Sequence, residues 1–564
     1  MTNPLARLLA RVPAPVPHLA LLAALSLGLN LYGITWGLPN VHDWTNMSLA
    51  PVEPLEFAKR LLYGEPWRFH YPPLHFLVLA VVYSPYVLYL VATGGLRSPS
   101  DTFPFGLADP ETSLTAFILL ARLTSALMGV GLVLVNYLAV RRFYGARAGL
   151  VSSLLIASAY PIVHFSHNAN VDVPYLFWLS LALYSFVRLI DGFQTRWFVL
   201  LGLFTALAVG TKHTAYALAA GLIPSLLWLH YRAVAARHDG RPPLSALLDL
   251  RFAYAGGLCV VALVVIFNPI LNWEGFTQHL ARHTRISVGG SWVVQTAPGW
   301  LRGHVELIGQ YLEYIRQSNG LPAFVLMVAG FVYCLVRHPR QALIVALPIV
   351  TYYVLYLKNF GTHHLRYMLP VYVLGTWQAG KLAADLLESR ALPRLVPRVA
   401  VAAVLAWSVL HGFTVDYLYV RDPRYAAERW IGEHVPRDAR VLAVEPSYAL
   451  PRLRAHADVT YRRLWDYNGH QVGDIADVGA DWVVIAMSSP RRSDTERYRV
   501  DWVKNIDVDA FLRARGYEPV TSFKTPLPAW GAEVPDIHVI NPRVDVWKSV
   551  DGRRPPAATT ARSD

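Results

Sequence analysis

A polytopic α-helical membrane protein carrying a C-terminal extracytoplasmic α/β domain is the fold class this sequence predicts. Three observations carry the prediction. Of the 564 residues, 54% are hydrophobic and only 16% charged, with a mean hydropathy of +0.32. Apolar stretches of membrane-spanning length recur as far as residue 419, and beyond it the pattern changes to short strand-like runs. A soluble core of this size would not use so much apolar surface.

Spanning helices of about 17 to 25 residues are expected near 18–37, 115–140, 148–165, 173–191, 197–211, 213–231, 252–272, 321–336, 341–357, 367–387 and 399–419, about 11 in all. The links between them alternate in character. One set is compact and arginine-rich, with Arg141, Arg142 and Arg147, then Arg188 and Arg196, then Arg232, Arg237 and Arg241, then Arg337 and Arg340, then Arg390, Arg394 and Arg398. By the positive-inside rule these links are cytoplasmic. The N-terminus joins them, because Arg7 and Arg11 precede a first helix read as retained. This topology also explains the net charge of +13, which sits in no basic block or basic face that would engage nucleic acid. Cys259 and Cys334 both lie in apolar segments, so no disulfide framework is expected.

The remaining links then share the outer face: 38–72, 164–172, Lys212-His213, 273–320 and 358–366. That parity requires the apolar stretch 73–93 not to cross. It is expected to dip into or lie along the outer leaflet, broken at Ser84-Pro85, where proline removes a helical hydrogen bond. Residues 1–415 form the membrane module. Residues 416–550 form an external α/β domain, read from the amphipathic YAAERWIGEHV, the strand-like ARVLAVEP and DWVVIAM, the helix-like VDAFLRARGYEPV, and DIHVI followed by VDVWKSV. The tail 551–564 reads as disordered.

The outer links hold the chemistry. The first carries Asp43, Glu53, Glu56 and Glu65 and closes on Tyr71-Pro72-Pro73; the second carries His164, His167, Asn168, Asn170 and Asp172. Lys212 follows a short helix, and Arg366 follows His363-His364 at a helix start. Each has a plainer reading: a solvated loop acid, a helix N-cap for Asp172, a lysine reaching the interface, and interfacial anchors for Trp44, Trp67 and Tyr71 rather than platforms for a sugar. Ionisable residues gathered at one membrane face nevertheless mark a functional site. An arginine at a helix start opposes the macrodipole, so an anion is the better reason for it. Acids and cations in separate loops suit group transfer from a lipid phosphate. Cations receive the growing charge of the leaving phosphate, and a carboxylate takes the acceptor's proton.

The order Trp36–Asn40, Tyr71–His75, Arg141–Gly145, His167–Asp172, Gly210–Lys212 and His364–Pro370 resembles the phospholipid-carrier-dependent glycosyltransferases of the GT-C superfamily. These are relatives of the protein O-mannosyltransferases and of the lipid A aminoarabinose transferase. The resemblance covers about residues 18–445 and implies a GT-C-like fold in the cell membrane. It further implies a polyprenyl-phosphate sugar donor, a protein, lipid or polysaccharide acceptor, and inversion at the anomeric carbon. Transfer would be metal-assisted or metal-independent, with Asp172 and His167 expected to touch a divalent cation. The family's first-loop acid pair follows a proline, whereas this chain reads Pro51-Val52-Glu53. Glu53 is therefore ranked first as base, Asp43 second, and loss of activity third. Asp172 matches the second catalytic acid; Lys212 and Arg366 match positions near the lipid phosphate, with His167, His364 and Tyr71 also facing substrate. Two other readings stay open. One is an oligosaccharide ligase or polymerase using lipid pyrophosphate; the other is a transporter or flippase, which would place charges near the midplane on broken helices.

Overall fold

The structure is a computed structural model that describes residues 15–41, 44, 49, 51–67, 71–100, 102–237, 249–288, 291–361, 363–391, 393–444, 447–454, 456, 458–464, 479–487, 508–531 and 540–550. The chain divides into two compact units, one of residues 1–34 and 47–413, the other of 35–46 and 414–564. The short segment 35–46, assigned from sequence to the membrane module, belongs to the second unit.

Every expected span contains a helix. These are α1 (Val16–Leu31), α4 (Pro110–Tyr144), α5 (Ala146–Ala157) with α6 (Tyr160–Ser166), α7 (Asp172–Ile190), α8 (Thr195–Thr211), α9 (Ala215–Ala235), α10 (Leu250–Phe267), α14 (Leu321–Arg337), α15 (Pro339–Leu355), α16 (Leu369–Glu388) and α17 (Leu395–Val420). Among the described residues, seven helices are long and apolar enough to cross a membrane, or eight if α5 and α6, bent by 62°, form one span. Residues between the expected spans add α2 (Val52–Tyr63), α3 (Leu74–Ala92), α11 (Trp273–Val288), α12 (Trp292–Thr296) and α13 (Trp300–Asn319).

Apolar side chains gain little by leaving lipid for one another, so such helices associate through close backbone approach and buried polar bonds. Both occur here. A side chain at Gly380 of α16 would strike the carbonyl of Ala148 in α5, and one at Gly202 of α8 would strike that of Ala255 in α10. Asn136 of α4 donates to Ser152 and Ser153 of α5 at 3.0 and 2.9 Å and accepts from the indole of Trp377 of α16 at 2.7 Å. One amide thereby ties three helices.

The expected break at Ser84-Pro85 is absent: α3 runs unbroken through Pro85. Proline cannot donate to the carbonyl of Val81, but the Ser84 hydroxyl does so at 2.8 Å and replaces the missing bond. By length and composition α3 is a candidate span, so its contacts are what place it. Arg122 of α4 donates to Ile34 O, just past the end of α1, while Tyr137 bonds His18 at its start. The first dozen residues of α4 therefore project beyond α1 by roughly 18 Å at 1.5 Å per residue. Tyr83 and Tyr86 of α3 pack on Phe117 in that projection, with ring centroids 4.9 and 5.1 Å apart. The distal half of α3 is thus level with the end of α1 that carries Ile34, not with its start.

The second unit is a five-stranded sheet of order β2-β1-β3-β5-β4, formed by β1 (Val441–Val444), β2 (Val459–Arg462), β3 (Trp482–Met487), β4 (Tyr517–Phe523) and β5 (Arg543–Ser549). Strand β1 runs parallel to β2 and β3, while β5 runs antiparallel to β3 and β4. Helix α18 (Pro423–His434) covers one face with Ala427 and Ile431 over Val441, Ala443 and Val484. Helix α19 (Val508–Arg513) covers the other with Leu512 near Leu442, Val483 and Ile485. Burial on both faces explains the continuous apolar runs. The helix-like reading of VDAFLRARGYEPV is corrected at its end. Gly516, at φ 80°, stops the helical turn, and Tyr517 opens a strand. Trp36 and Trp44 belong to this unit. Trp36 donates to Asp422 at 2.8 Å and Arg424 lies 4.0 Å from the centre of the Trp44 ring. Trp44, 1% exposed, is core and offers no face to a sugar. The tail 551–564 lies outside the described residues.

Candidate functional site

Asp172 opens α7, and Lys212 follows the last residue of α8. The two helices pack against each other, so the start of one lies beside the end of the other. Lys212 Nζ donates to Asp172 Oδ1 at 2.5 Å, and both side chains are buried. This overturns both plainer readings. Asp172 makes no capping bond, Val171 being the N-cap, and Lys212 turns inward rather than to the interface. Burial pulls the Lys212 ammonium below its ordinary pKa while Asp172 holds it up. The second oxygen, Asp172 Oδ2, is buried and has no hydrogen-bond partner among the described residues.

Arg366 lies in a short 3-10 turn (Leu365–Met368) ahead of α16 and is 9% exposed. Its charge acts on Lys212, and the charge of Asp172 acts on it in turn. Aromatic rings fill the spaces between. Lys212 Nζ stands 5.1 Å from the ring centre of Tyr175 and 5.3 Å from that of Tyr367, and Tyr352 OH donates to Tyr367 O at 3.0 Å. Rings of this kind hold cations on their faces and exclude water.

Tyr71 couples the first outer link to this centre. Burial raises its phenol pKa, Arg366 opposes that, and Asp172, Tyr367 and Glu53 add to the rise. Glu53 sits in the first turn of α2. Its edge is open to solvent, but enough protein surrounds it that burial, with Glu56, raises its pKa. The link is fastened to the centre by Leu49 N donating to Ala169 O at 2.8 Å and by a core of Leu49, Phe57, Trp67, Phe76 and Val171. Trp67, like Trp44, is consumed by packing. Glu53, Tyr71, Asp172, Lys212 and Arg366 are therefore gathered, and Asp43 lies outside the described residues.

Two expectations need correction or narrowing. His167 is not placed to hold a metal or substrate: its Nδ1 and Nε2 face Val163 O at 2.8 Å and Tyr32 O at 2.9 Å, fastening α6 to the end of α1. His364 meets the centre through an edge-on contact with Tyr367, ring centroids 5.4 Å apart. A different histidine group was missed in the sequence. His213, next to Lys212, meets His279 and His283 of α11, with one ligand atom of each residue all within 4.8 Å. The i, i+4 spacing of His279 and His283 in an amphipathic helix was the available signal.

A buried acid and two cations thus stand at membrane-helix ends, reached by a loop that brings a second acid. Residues 115–273 match the family described as Dolichyl-phosphate-mannose-protein mannosyltransferase. The match spans α4 to the start of α11, so it includes Asp172 and Lys212. Among solved structures, ArnT from Cupriavidus metallidurans bound to undecaprenyl phosphate is 15% identical, covering 93% of this chain and 97% of that one, with a TM-score of 0.41. The Archaeoglobus fulgidus oligosaccharyltransferase tethered with an acceptor peptide is 12% identical, covering 84% and 69%, with a TM-score of 0.44. The S. cerevisiae Pmt1-Pmt2 complex bound to the sugar donor is 19% identical over 46% of this chain, with a TM-score of 0.34; the chain spans 34% of its length. Among curated proteins none matches the chain in sequence.

Proposed function

We propose that the protein transfers a sugar from a polyprenyl-phosphate donor to an acceptor hydroxyl on the extracytoplasmic side, with inversion at the anomeric carbon. The observation that carries this reading is the buried Asp172–Lys212 pair beside Arg366, with one carboxylate oxygen left for a ligand. The three groups sum to one positive charge. That complements a lipid phosphodiester, which carries one negative charge, better than a pyrophosphate.

In the proposed reaction Arg366 and Lys212 hold the phosphate, and Asp172 Oδ2 accepts a hydroxyl of the donor sugar. The acceptor oxygen attacks the anomeric carbon from the face opposite the phosphate. The bond from carbon to phosphate oxygen breaks, its electron pair leaves on the phosphate, and Glu53 takes the acceptor's proton. Charge thus grows on the phosphate, where two preorganised cations stabilise it most. Glu53 suits the base role because it is at once open to an incoming acceptor and raised toward neutral pH. A divalent cation at Asp172 would supply further charge neutralisation.

The test is incubation of the purified full-length protein with polyprenyl-phosphate sugars, following release of the lipid phosphate with and without chelator. Release from monophosphate donors that disappears in Asp172→Asn is expected. Turnover only of pyrophosphate-linked oligosaccharides, or none above the Asp172→Asn background, overturns the reading.

A further inference from the structure

We infer that His213, His279 and His283 form a three-imidazole site for a zinc-class divalent cation, outside the acid–cation centre and fastening α11 to the turn between α8 and α9. One ligand nitrogen from each histidine lies within 4.8 Å of the others. A tetrahedral ion with bonds of 2.0–2.1 Å sets its ligand nitrogens about 3.4 Å apart, so small side-chain rotations close the site. The rings crowd one another, with centroids 3.7 Å apart for His213–His283 and 4.2 Å for His279–His283.

Ordinary core packing does not account for this arrangement. Buried polar atoms are normally hydrogen-bonded. Yet His213 Nδ1 and both ring nitrogens of His283 are buried with no hydrogen-bond partner among the described residues. Phe267 walls the group off, 5.7 Å from the ring of His279. Three neutral nitrogens with no carboxylate or thiolate suit zinc, cobalt, nickel or copper rather than magnesium or calcium.

The site has a mechanical consequence. His279 and His283 stand one turn apart on α11, while His213 directly follows Lys212. A bound ion would pin the outer helix to the backbone that carries the lysine of the Asp172 pair. Three protein ligands leave a fourth position for water or an anion. The nearby charges of Lys212 and Arg282, which act on these rings, favour an anionic occupant there.

The test uses the full-length protein in detergent, stripped with chelator and titrated with Co²⁺, whose tetrahedral complexes absorb in the visible range. One Co²⁺ per chain, displaced by Zn²⁺, is expected, with at least a tenfold loss of affinity in His283→Ala and in His279→Ala. Unchanged binding in both variants, or no stoichiometric binding by the parent protein, overturns the site. His283→Cys covers the case in which an alanine variant misfolds. It retains a ligand, so its cobalt complex must gain a thiolate charge-transfer band, and binding without that band also overturns the assignment. The readout is metal rather than transfer, so it stands apart from the outcome of the donor assay.

Discussion

Lys212 and Asp172 meet at 2.5 Å across the ends of two packed helices, with side chains only 5% and 0% exposed. Removing one partner of such a pair leaves an uncompensated buried charge, at a cost of about 3–5 kcal/mol, whereas replacing both is far less harmful. Asp172→Asn and Lys212→Met should each lower the unfolding temperature of the solubilised protein more than the two together do. Additive losses in this cycle would show that the two groups do not interact.

Glu53 carries the proposed proton transfer, and Glu53→Gln should reduce turnover about 10²–10⁴-fold. Its raised pKa fixes the sign of the pH dependence. The unprotonated base accumulates only above the ordinary glutamate range, so the rate falls as pH drops through the raised value. Stability runs the other way: the neutral form is favoured in the folded chain, and that contribution is lost as pH rises. Glu53→Gln should therefore be at least as stable as the parent at pH 7 and lose that advantage near pH 4. A pH–rate profile unchanged by the substitution would remove Glu53 from the base role.

Arg366 offers a planar fork that lysine lacks. Arg366→Lys keeps the charge and should still lower kcat/KM by about 10²-fold, the usual loss when one oxyanion donor is misplaced. Product inhibition by polyprenyl phosphate should weaken in parallel. Equal kcat/KM in the two proteins would place the lipid phosphate elsewhere.

Trp44 separates packing from sugar binding. Buried under Arg424, it should cost about 3–5 kcal/mol on conversion to alanine, read by thermal unfolding. A rise in donor KM with no loss of stability would restore the sugar-stacking role.

The sequence revealed much of this because the signals were local. Spans showed as apolar runs, and Asp172, Lys212 and Arg366 stood out as charges where lipid tolerates few. Strands β1 and β3 showed as continuous apolar runs flanked by polar turns. Signals read from one residue type fared worse. Pro85 suggested a break because the replacing hydroxyl is next to it and looks like any serine. His167 suggested a ligand because its backbone acceptors at Val163 and Tyr32 belong to different helices. Asp43 lies outside the described residues.

What the sequence alone determined was the class and the cast: a helical membrane chain, an α/β tail, and ionisable residues at helix ends. Hydropathy and charge spacing are properties of neighbouring residues, so they survive without a fold. Only the tertiary structure decided the pairing. It set Lys212 on Asp172, brought Tyr71 and Glu53 beside them, committed Trp44 to the second unit, and drew His213 to a helix more than sixty residues away. Those relations depend on which helix ends pack together, and no stretch of sequence short enough to be read by periodicity contains that choice.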